Sequence, residues 1–319
     1  MKLLRPASLK KNDTIGIIAP SEPITKQDLE KIRAFFERQG FKLKFGKNIM
    51  AKYGDYAAGT AQQRAEDINW AFSDTEVKAI FTADGGMVAS QTLEKIDFEN
   101  IKKNPKIFAG YSDATTLQLA IFAKTGLVTF QAPNAMYLSE FRPAGYTMTN
   151  FWRMLMSDGV GPIKPQSVWQ KIRPGEAQGV LFGGNLSCLC QLLGTPWDPV
   201  AATLNIFEKD TKFIFFWEEV YEQFSEIMRN LWQVRNTGFF DRVSGMVVGK
   251  LTAVAEIDYE DFPPKKELIE QLTQPFNFPI FYGVDFGHQV PKATIPIGVI
   301  AKIDTSANLF EILESGVIE

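Results

Sequence analysis

The first half of the chain predicts a doubly wound, flavodoxin-like α/β domain with a parallel sheet. Short runs of β-branched and apolar residues alternate there with longer amphipathic runs, and this alternation is typical of strands joined by crossover helices. The chain has 319 residues, which is enough for two domains that each bury a core. We therefore predict a second, smaller mixed α/β domain after the first.

The elements of the first domain are predicted to alternate between strand and helix along the chain. Strands are predicted at residues 14–18, 42–45, 79–82, 106–109 and 128–130. Helices are predicted at about 25–39, 62–72, 91–96, 115–124 and 150–156. The first helix has four apolar residues on one face, Leu29, Ile32, Phe35 and Phe36. Ligands of such a sheet bind beyond the carboxyl ends of its strands, where the turns at 84–86 and 110–112 emerge.

Glycine, proline and lysine mark residues 158–175 as a linker between a domain at 1–157 and a domain at 176–319. In the second domain we predict strands at 213–217, 244–248, 280–284 and 299–303, and helices at 186–193 and 224–234. Cys188 and Cys190 lie two residues apart in the first of these helices, so they point to different faces. We expect both to be reduced core residues rather than a disulfide or a metal pair.

Composition excludes several classes of function. Lys and Arg number 34 against 37 Asp and Glu, and without a basic block we expect no nucleic-acid partner. The amino terminus has no apolar signal region, and no run approaches the ~18 apolar residues of a membrane span, so we expect a cytoplasmic protein with no membrane partner. A single histidine excludes zinc-hydrolase patterns that need two or three, and we expect neither a metal nor another cofactor.

The sharpest local motif is the run Lys106–Ala114, which leads from an apolar strand directly into a helix. A serine at such a strand-to-helix turn has its Oγ exposed above the helix N-terminus, as in a nucleophile elbow, so Ser112 is a candidate nucleophile. The helix-side amide of Asp113 is placed to stabilise an oxyanion, and the glycine turn at 84–86 offers a second donor. The alternatives are that Ser112 or Asp113 only caps the helix and that the glycine turn is an ordinary turn.

His288 is the single imidazole of the chain and follows Gly287 in the glycine-flanked turn 285–288. It can act as a general base with a nucleophile and an orienting carboxylate, or it can be a structural or surface residue. Glu218 is the first charge after the apolar run 213–217, so we expect it to be desolvated and to hold the imidazole. We expect Glu219 and Glu222 to be solvated. Two such carboxylates could also hydrolyse a glycoside, although Ser112 and His288 would then have no role.

Together these motifs resemble the LD-carboxypeptidases (muramoyltetrapeptide carboxypeptidases), a family that includes microcin self-immunity peptidases. The resemblance extends over nearly the whole chain. Its landmarks are Asp13–Ser21, Ala58–Thr60, Arg64–Ala65, Gly85–Gly86, Gly110–Asp113, Gly183–Ser187, Leu193–Pro196, Glu218–Glu219, Phe286–His288 and Thr294–Gly298.

The resemblance implies a metal-free serine carboxypeptidase that releases the terminal D-alanine of a muropeptide tetrapeptide, a small peptide substrate. It implies Ser112 as nucleophile, His288 as general base and then acid, and Glu218 as the acid that orients the histidine. It further implies an oxyanion hole from the amides of Asp113 and Gly86, a site between the two domains, and a homodimer. An immunity-type amidase acting on a peptide or aminoacyl-nucleotide conjugate, and a catalytically silent peptide-binding protein, are the alternatives.

One motif departs from the family. Many members have Arg-Gly-Gly-Tyr at the glycine turn, whereas this chain has Asp84-Gly85-Gly86-Met87. We expect Asp84, Gly85 and Met87 to line the substrate site. An anion at Asp84 would repel a substrate carboxylate and attract an amine, so the preferred substrate could differ; alternatively, Asp84 pairs with a basic residue of the fold.

Overall fold

The computed structural model describes residues 3–141, 143, 145–157, 159–255 and 263–319. In these residues, strands form two β-sheets, and helices pack against them. The strands are β1 (Thr14–Ile18), β2 (Lys42–Phe45), β3 (Val77–Thr82), β4 (Ile107–Gly110), β5 (Thr129–Gln131), β6 (Gly161–Pro162), β7 (Gln170–Arg173), β8 (Glu176–Asn185), β9 (Phe213–Val220), β10 (Val243–Thr252), β11 (Ile280–Gly287), β12 (Ile295–Ile297), β13 (Ile300–Asp304) and β14 (Leu309–Ile312).

The helices follow the predicted order and add four segments that the sequence pattern did not predict, α3, α5, α8 and α10. The α-helices are α1 (Lys26–Arg38), α2 (Ala61–Ser73), α3 (Phe98–Lys103), α4 (Ala114–Thr125), α5 (Ala135–Phe141), α6 (Tyr146–Met156), α7 (Leu186–Cys190), α8 (Pro199–Ile206), α9 (Phe224–Asn236) and α10 (Lys265–Thr273). The 3₁₀ helices are Ala89–Lys95, Phe239–Arg242 and Gln274–Phe276. In the described part of the chain, no helix has the length and apolar character needed to cross a membrane.

The first sheet has the strand order β12-β5-β4-β3-β1-β2. Strands β1 to β5 pair in parallel, and their order 2-1-3-4-5 is that of flavodoxin-like folds. The predicted doubly wound domain is therefore confirmed. The sequence pattern did not predict β12, which comes from the far end of the chain and pairs antiparallel with β5.

The second sheet is mixed, with the order β6-β14-β13-β8-β9-β10-β11-β7. Its centre, from β8 to β11, is parallel, and both margins are antiparallel. The predicted mixed α/β character is confirmed. The second sheet is the larger of the two, with eight strands against six in the first. Two of the eight, β6 and β7, lie inside residues 158–175, and the division of the chain at this linker stays a prediction.

Helix α4 connects the two halves of the protein. It is buried around most of its circumference, because it packs on β4 and β5 of the first sheet and also on β8, α7 and α8. An apolar surface on all sides is typical of a helix with no solvent face. Its first turn, and the residue that precedes it, are consequently held where the two halves meet.

Strands β9, β10 and β11 extend several residues further than the apolar pattern predicted, to Val220, Thr252 and Gly287. The predicted turn at 285–288 is thus wrong in its first three residues, which are strand, and His288 is the first residue after β11. The pattern stopped at Asp285 because a charge inside a strand normally needs solvent. Asp285 is fully buried, and it accepts hydrogen bonds from Trp169 Nε1 at 2.8 Å and Lys250 Nζ, whose ion pair measures 2.9 Å.

Candidate active site

Ser112 occupies the sharp turn between β4 and α4. Its φ of +62° is unfavourable for a residue with a side chain. At Gly110 a Cβ atom would collide with Thr82 Oγ1 and lie 2.9 Å from Ala114 Cβ, so the turn needs a glycine. A strained strand-to-helix turn that presents a serine is the geometry of a nucleophile elbow.

Asp113 stabilises this turn instead of capping the helix. Its carboxylate accepts hydrogen bonds from Ser21 Oγ at 2.6 Å and from the Ala89 amide at 2.8 Å, and it makes no side-chain capping bond to α4. These bonds attach the turn to the loop after β1 and to the 3₁₀ helix that begins at Ala89. They restrain the residue whose amide is the predicted oxyanion donor.

The glycine turn lies against Ser112. A Cβ at Gly85 would come within 3.0 Å of both Cβ and Oγ of Ser112, and a Cβ at Gly86 would collide with Ser21 Oγ. Gly86 also has a φ of +132°, which favours glycine. The turn is therefore packed more closely than an ordinary surface turn, and the role of the Gly86 amide as an oxyanion donor stays a prediction.

Glu218 and His288 are brought together from β9 and from the end of β11. His288 Nδ1 lies 2.7 Å from Glu218 Oε2, and the side chains are 13% and 0% exposed. The intervening strand β10 makes room, because a Cβ at Gly249 would lie 2.9 Å from Glu218 Cβ; likewise, a Cβ at Gly287 would lie 2.8 Å from Glu218 Oε2. The carboxylate next to the imidazole is thus Glu218 and not Glu219.

The Glu218 contact also determines the imidazole tautomer. A carboxylate can only accept, so the proton belongs on Nδ1 and the lone pair on Nε2. Nε2 is buried and has no hydrogen-bond partner among the described residues. An oriented imidazole with a free Nε2 is equipped to accept a proton.

The expectation that Glu219 is solvated is wrong. Its residue is 2% exposed, and its carboxylate accepts hydrogen bonds from Ser187 Oγ at 2.6 Å and Asn185 Nδ2 at 2.8 Å. Burial raises the pKa of Glu219, while these hydrogen bonds oppose the increase. Asn185, the last residue of β8, also donates from Nδ2 to Glu218 Oε1 at 3.3 Å. One amide therefore bonds both carboxylates near the end of β9.

Asp84 and Met87, the two residues that flank the glycines of the turn, differ in their exposure to solvent. Asp84 is partly buried and accepts a hydrogen bond from the Gly85 amide at 2.9 Å, and burial raises the pKa of its carboxyl. No ion pair joins it to a basic side chain in the described ranges, but it attracts the Lys292 ammonium, so the alternative that Asp84 faces a basic residue of the fold stays a prediction. Met87 is 72% exposed and is therefore available at the rim of the turn.

Two family models match the chain on either side of residues 133–177. The LD-carboxypeptidase N-terminal domain matches residues 15–132, and the LD-carboxypeptidase C-terminal domain matches residues 178–303. The chain belongs to the LD-carboxypeptidase family. It is accordingly a hydrolase, a serine-type carboxypeptidase. Of the predicted triad of this LD-carboxypeptidase, Ser112 lies in the N-terminal match and Glu218 and His288 in the C-terminal match.

Three similar proteins illustrate this LD-carboxypeptidase family. A probable murein peptide carboxypeptidase of Bacillus subtilis is 33% identical over 99% of this chain and 96% of its own length. The microcin C7 self-immunity protein of Escherichia coli is 30% identical over 93% of this chain and 92% of its own. A solved MccF-like protein from Bacillus anthracis has a TM-score of 0.82 and 29% identity, covering 97% of this chain and 99% of that chain.

The sequence patterns did not identify three further residues at the site, Tyr111, Asn185 and Lys292. The Tyr111 and His288 ring centroids lie 4.8 Å apart. Tyr111, the neighbour of Ser112 after a strand of the first sheet, therefore contacts the imidazole that follows a strand of the second sheet. Lys292 Nζ lies 4.1 Å from the centroid of the Tyr111 ring. The signal for Asn185 was its place in a landmark motif, and the signal for Lys292 was a lone charge in the apolar stretch 290–299.

Proposed function

We propose that this LD-carboxypeptidase releases the terminal D-alanine of a muropeptide tetrapeptide through a Ser112-His288-Glu218 triad and an acyl-enzyme. The observation that carries the proposal is the buried 2.7 Å contact between Glu218 and His288, which leaves Nε2 free, and the proposal is supported by the packing of Tyr111, the neighbour of Ser112, on the same imidazole. The murein carboxypeptidase named among the relatives supports the substrate class.

In the proposed reaction, His288 Nε2 takes the Ser112 proton while Oγ attacks the carbonyl of the LD-amide. The amides of Asp113 and Gly86 then stabilise the tetrahedral oxyanion. The imidazolium, stabilised by Glu218, donates its proton to the amine of the departing D-alanine. Water, activated by the same imidazole, hydrolyses the acyl-enzyme and restores Ser112.

The glycine turn forms one side of the proposed substrate site. Gly85 brings its backbone close to Ser112, and Asp84 places a partly buried carboxyl beside it. An amine on the acyl part of the peptide would be attracted to Asp84, while the exposed Met87 would contact the substrate at the rim. We further propose a cytoplasmic homodimer, which cell fractionation and sedimentation equilibrium would test.

Release of D-alanine from the tetrapeptide at neutral pH tests the reaction in wild type, Ser112→Ala and His288→Ala. We expect release by the wild type alone, and covalent labelling of wild type but not Ser112→Ala by a fluorophosphonate probe. Full activity of Ser112→Ala would contradict the proposed nucleophile. A wild-type protein that binds the peptide without cleaving it or reacting with the probe would favour the silent peptide-binding alternative.

A second candidate is an amidase of the immunity type, which cleaves a peptide or aminoacyl-nucleotide conjugate. The microcin self-immunity relative and the anion Asp84 at a turn where many family members have arginine favour it. The two candidates are separated by comparing kcat/KM for the tetrapeptide with kcat/KM for an aminoacyl sulfamoyl nucleoside. A preference for the nucleoside would replace the muropeptide assignment and leave the triad unchanged.

A further inference from the structure

Lys292 is a buried ammonium without a polar partner. The residue is 2% exposed, and its Nζ has no hydrogen bond or ion pair within the described residues. It lies over two aromatic rings, 4.1 Å from the Tyr111 centroid and 3.9 Å from the Tyr137 centroid. Buried lysines are normally paired, because an isolated charge in the interior is destabilising by several kcal/mol.

The surroundings of Lys292 place it in the active site. The Tyr111 ring that it contacts also packs on His288, and Tyr111 precedes the candidate nucleophile. Glu218 and Asp84 both attract the ammonium, but Glu218 contacts His288 and Asp84 accepts from Gly85. The Tyr137 hydroxyl is also buried and lacks a partner in the described residues, so two unused donors lie together.

We propose that Lys292 binds the free carboxylate of the residue that the enzyme cleaves off. This inference rests on the proposed carboxypeptidase function and names the side chain that selects a carboxyl-terminal substrate. Such a substrate brings a negative charge into a site that already contains Glu218 and Asp84, and the ammonium compensates for it. The ring faces of Tyr111 and Tyr137 hold Nζ by cation–π contact, and no N–H of Nζ donates to an oxygen acceptor in the described residues.

The charge state of Lys292 agrees with this role. Burial lowers its pKa to about 8, although Glu218 and Asp84 oppose the decrease. The ammonium is therefore the main form at neutral pH, and it loses its proton under mildly alkaline conditions. A bound carboxylate would favour the protonated form further.

The test compares two substrates that differ only at the carboxyl end, the tetrapeptide with a free terminal carboxylate and the same tetrapeptide as its carboxyl-terminal amide. The measured quantity is the ratio of kcat/KM values, free acid over amide, from the release of D-alanine and of D-alaninamide. In Lys292→Met we expect this ratio to fall by roughly 10- to 100-fold, the value of a charge-assisted hydrogen bond.

Lys106→Met is the matched control. Lys106 is also buried with a pKa lowered by burial to about 8, but its Nζ donates to the Ala71 carbonyl at 2.9 Å, and it lies before the amino end of β4, whereas Ser112 follows the carboxyl end of that strand. We expect the ratio in Lys106→Met to equal that of the wild type. A ratio that is unchanged in active Lys292→Met would overturn the inference, as would an equal fall in both variants.

The wild type alone provides an independent measurement if Lys292→Met is inactive or does not fold. Since both substrates use the same triad, the acid-to-amide ratio cancels the titration of the catalytic groups. We expect the ratio to decrease as pH rises through about 8, where Lys292 loses its charge; a flat ratio would reject the role of Lys292. A wild type that cleaves neither substrate would instead reject the proposed function on which the inference rests.

Discussion

Replacing Glu218 by glutamine tests the contact on which the proposed mechanism depends. The substitution keeps the size of the side chain and, with its single amide oxygen towards Nδ1, one hydrogen bond from the imidazole, and it removes the charge next to the imidazole. At 2.7 Å, two unit charges attract by about 6 kcal/mol at an effective dielectric of about 20. A neutral hydrogen bond of about 1 kcal/mol remains, so up to about 5 kcal/mol of imidazolium stabilisation is lost.

Because each 1.4 kcal/mol corresponds to about a tenfold change in rate, we expect kcat of Glu218→Gln to fall by roughly 100- to 10,000-fold. The assay is D-alanine release from the tetrapeptide, with thermal unfolding as the measure of folding. Glu222→Gln is the matched control, since Glu222 is partly exposed beyond the end of β9 and should keep full activity. A folded Glu218→Gln enzyme with more than a third of wild-type kcat would refute the reasoning.

Three further predictions follow from the close packing and the buried charge. Gly85→Ala should fold with little change in Tm but lose roughly 10- to 100-fold in kcat, because the new Cβ lies 3.0 Å from Ser112 Oγ; wild-type kcat would contradict this. Gly287→Ala should lower the free energy of unfolding by about 2–4 kcal/mol, since its φ is +103° and its Cβ would lie 2.8 Å from Glu218 Oε2; an unchanged urea midpoint would show otherwise. Burial lowers the Lys292 pKa to about 8, so the unfolded chain binds more protons between about pH 8 and pH 10.4, and wild type should gain stability relative to Lys292→Met across that range. Urea unfolding at pH 7.5 and 9.5 measures this difference, and a constant difference would exclude it.

The predicted site residues show which parts of the site a short sequence segment can predict. Ser112 could be found because a strand, a glycine-flanked serine and a helix are adjacent in the sequence, and a positive φ at the serine follows from that tight turn. Glu218 could be found because it is the first charge after a buried run. The misjudged residue is Glu219, since its partners Asn185 and Ser187 are more than thirty positions away and a single segment carries no information about them.

The sequence by itself determined the type of most elements, their order along the chain, and the separation of Ser112 from His288 in the chain. These properties depend on hydrophobic periodicity and turn residues, which act over a few positions. Only the tertiary structure decided that β12 returns to the first sheet, that Asn185 joins Glu218 to Glu219, and that Lys292 lies between two tyrosine rings. Those arrangements depend on strand pairing, hydrogen bonds and ring contacts between segments that are distant in sequence, and no short segment carries information about them.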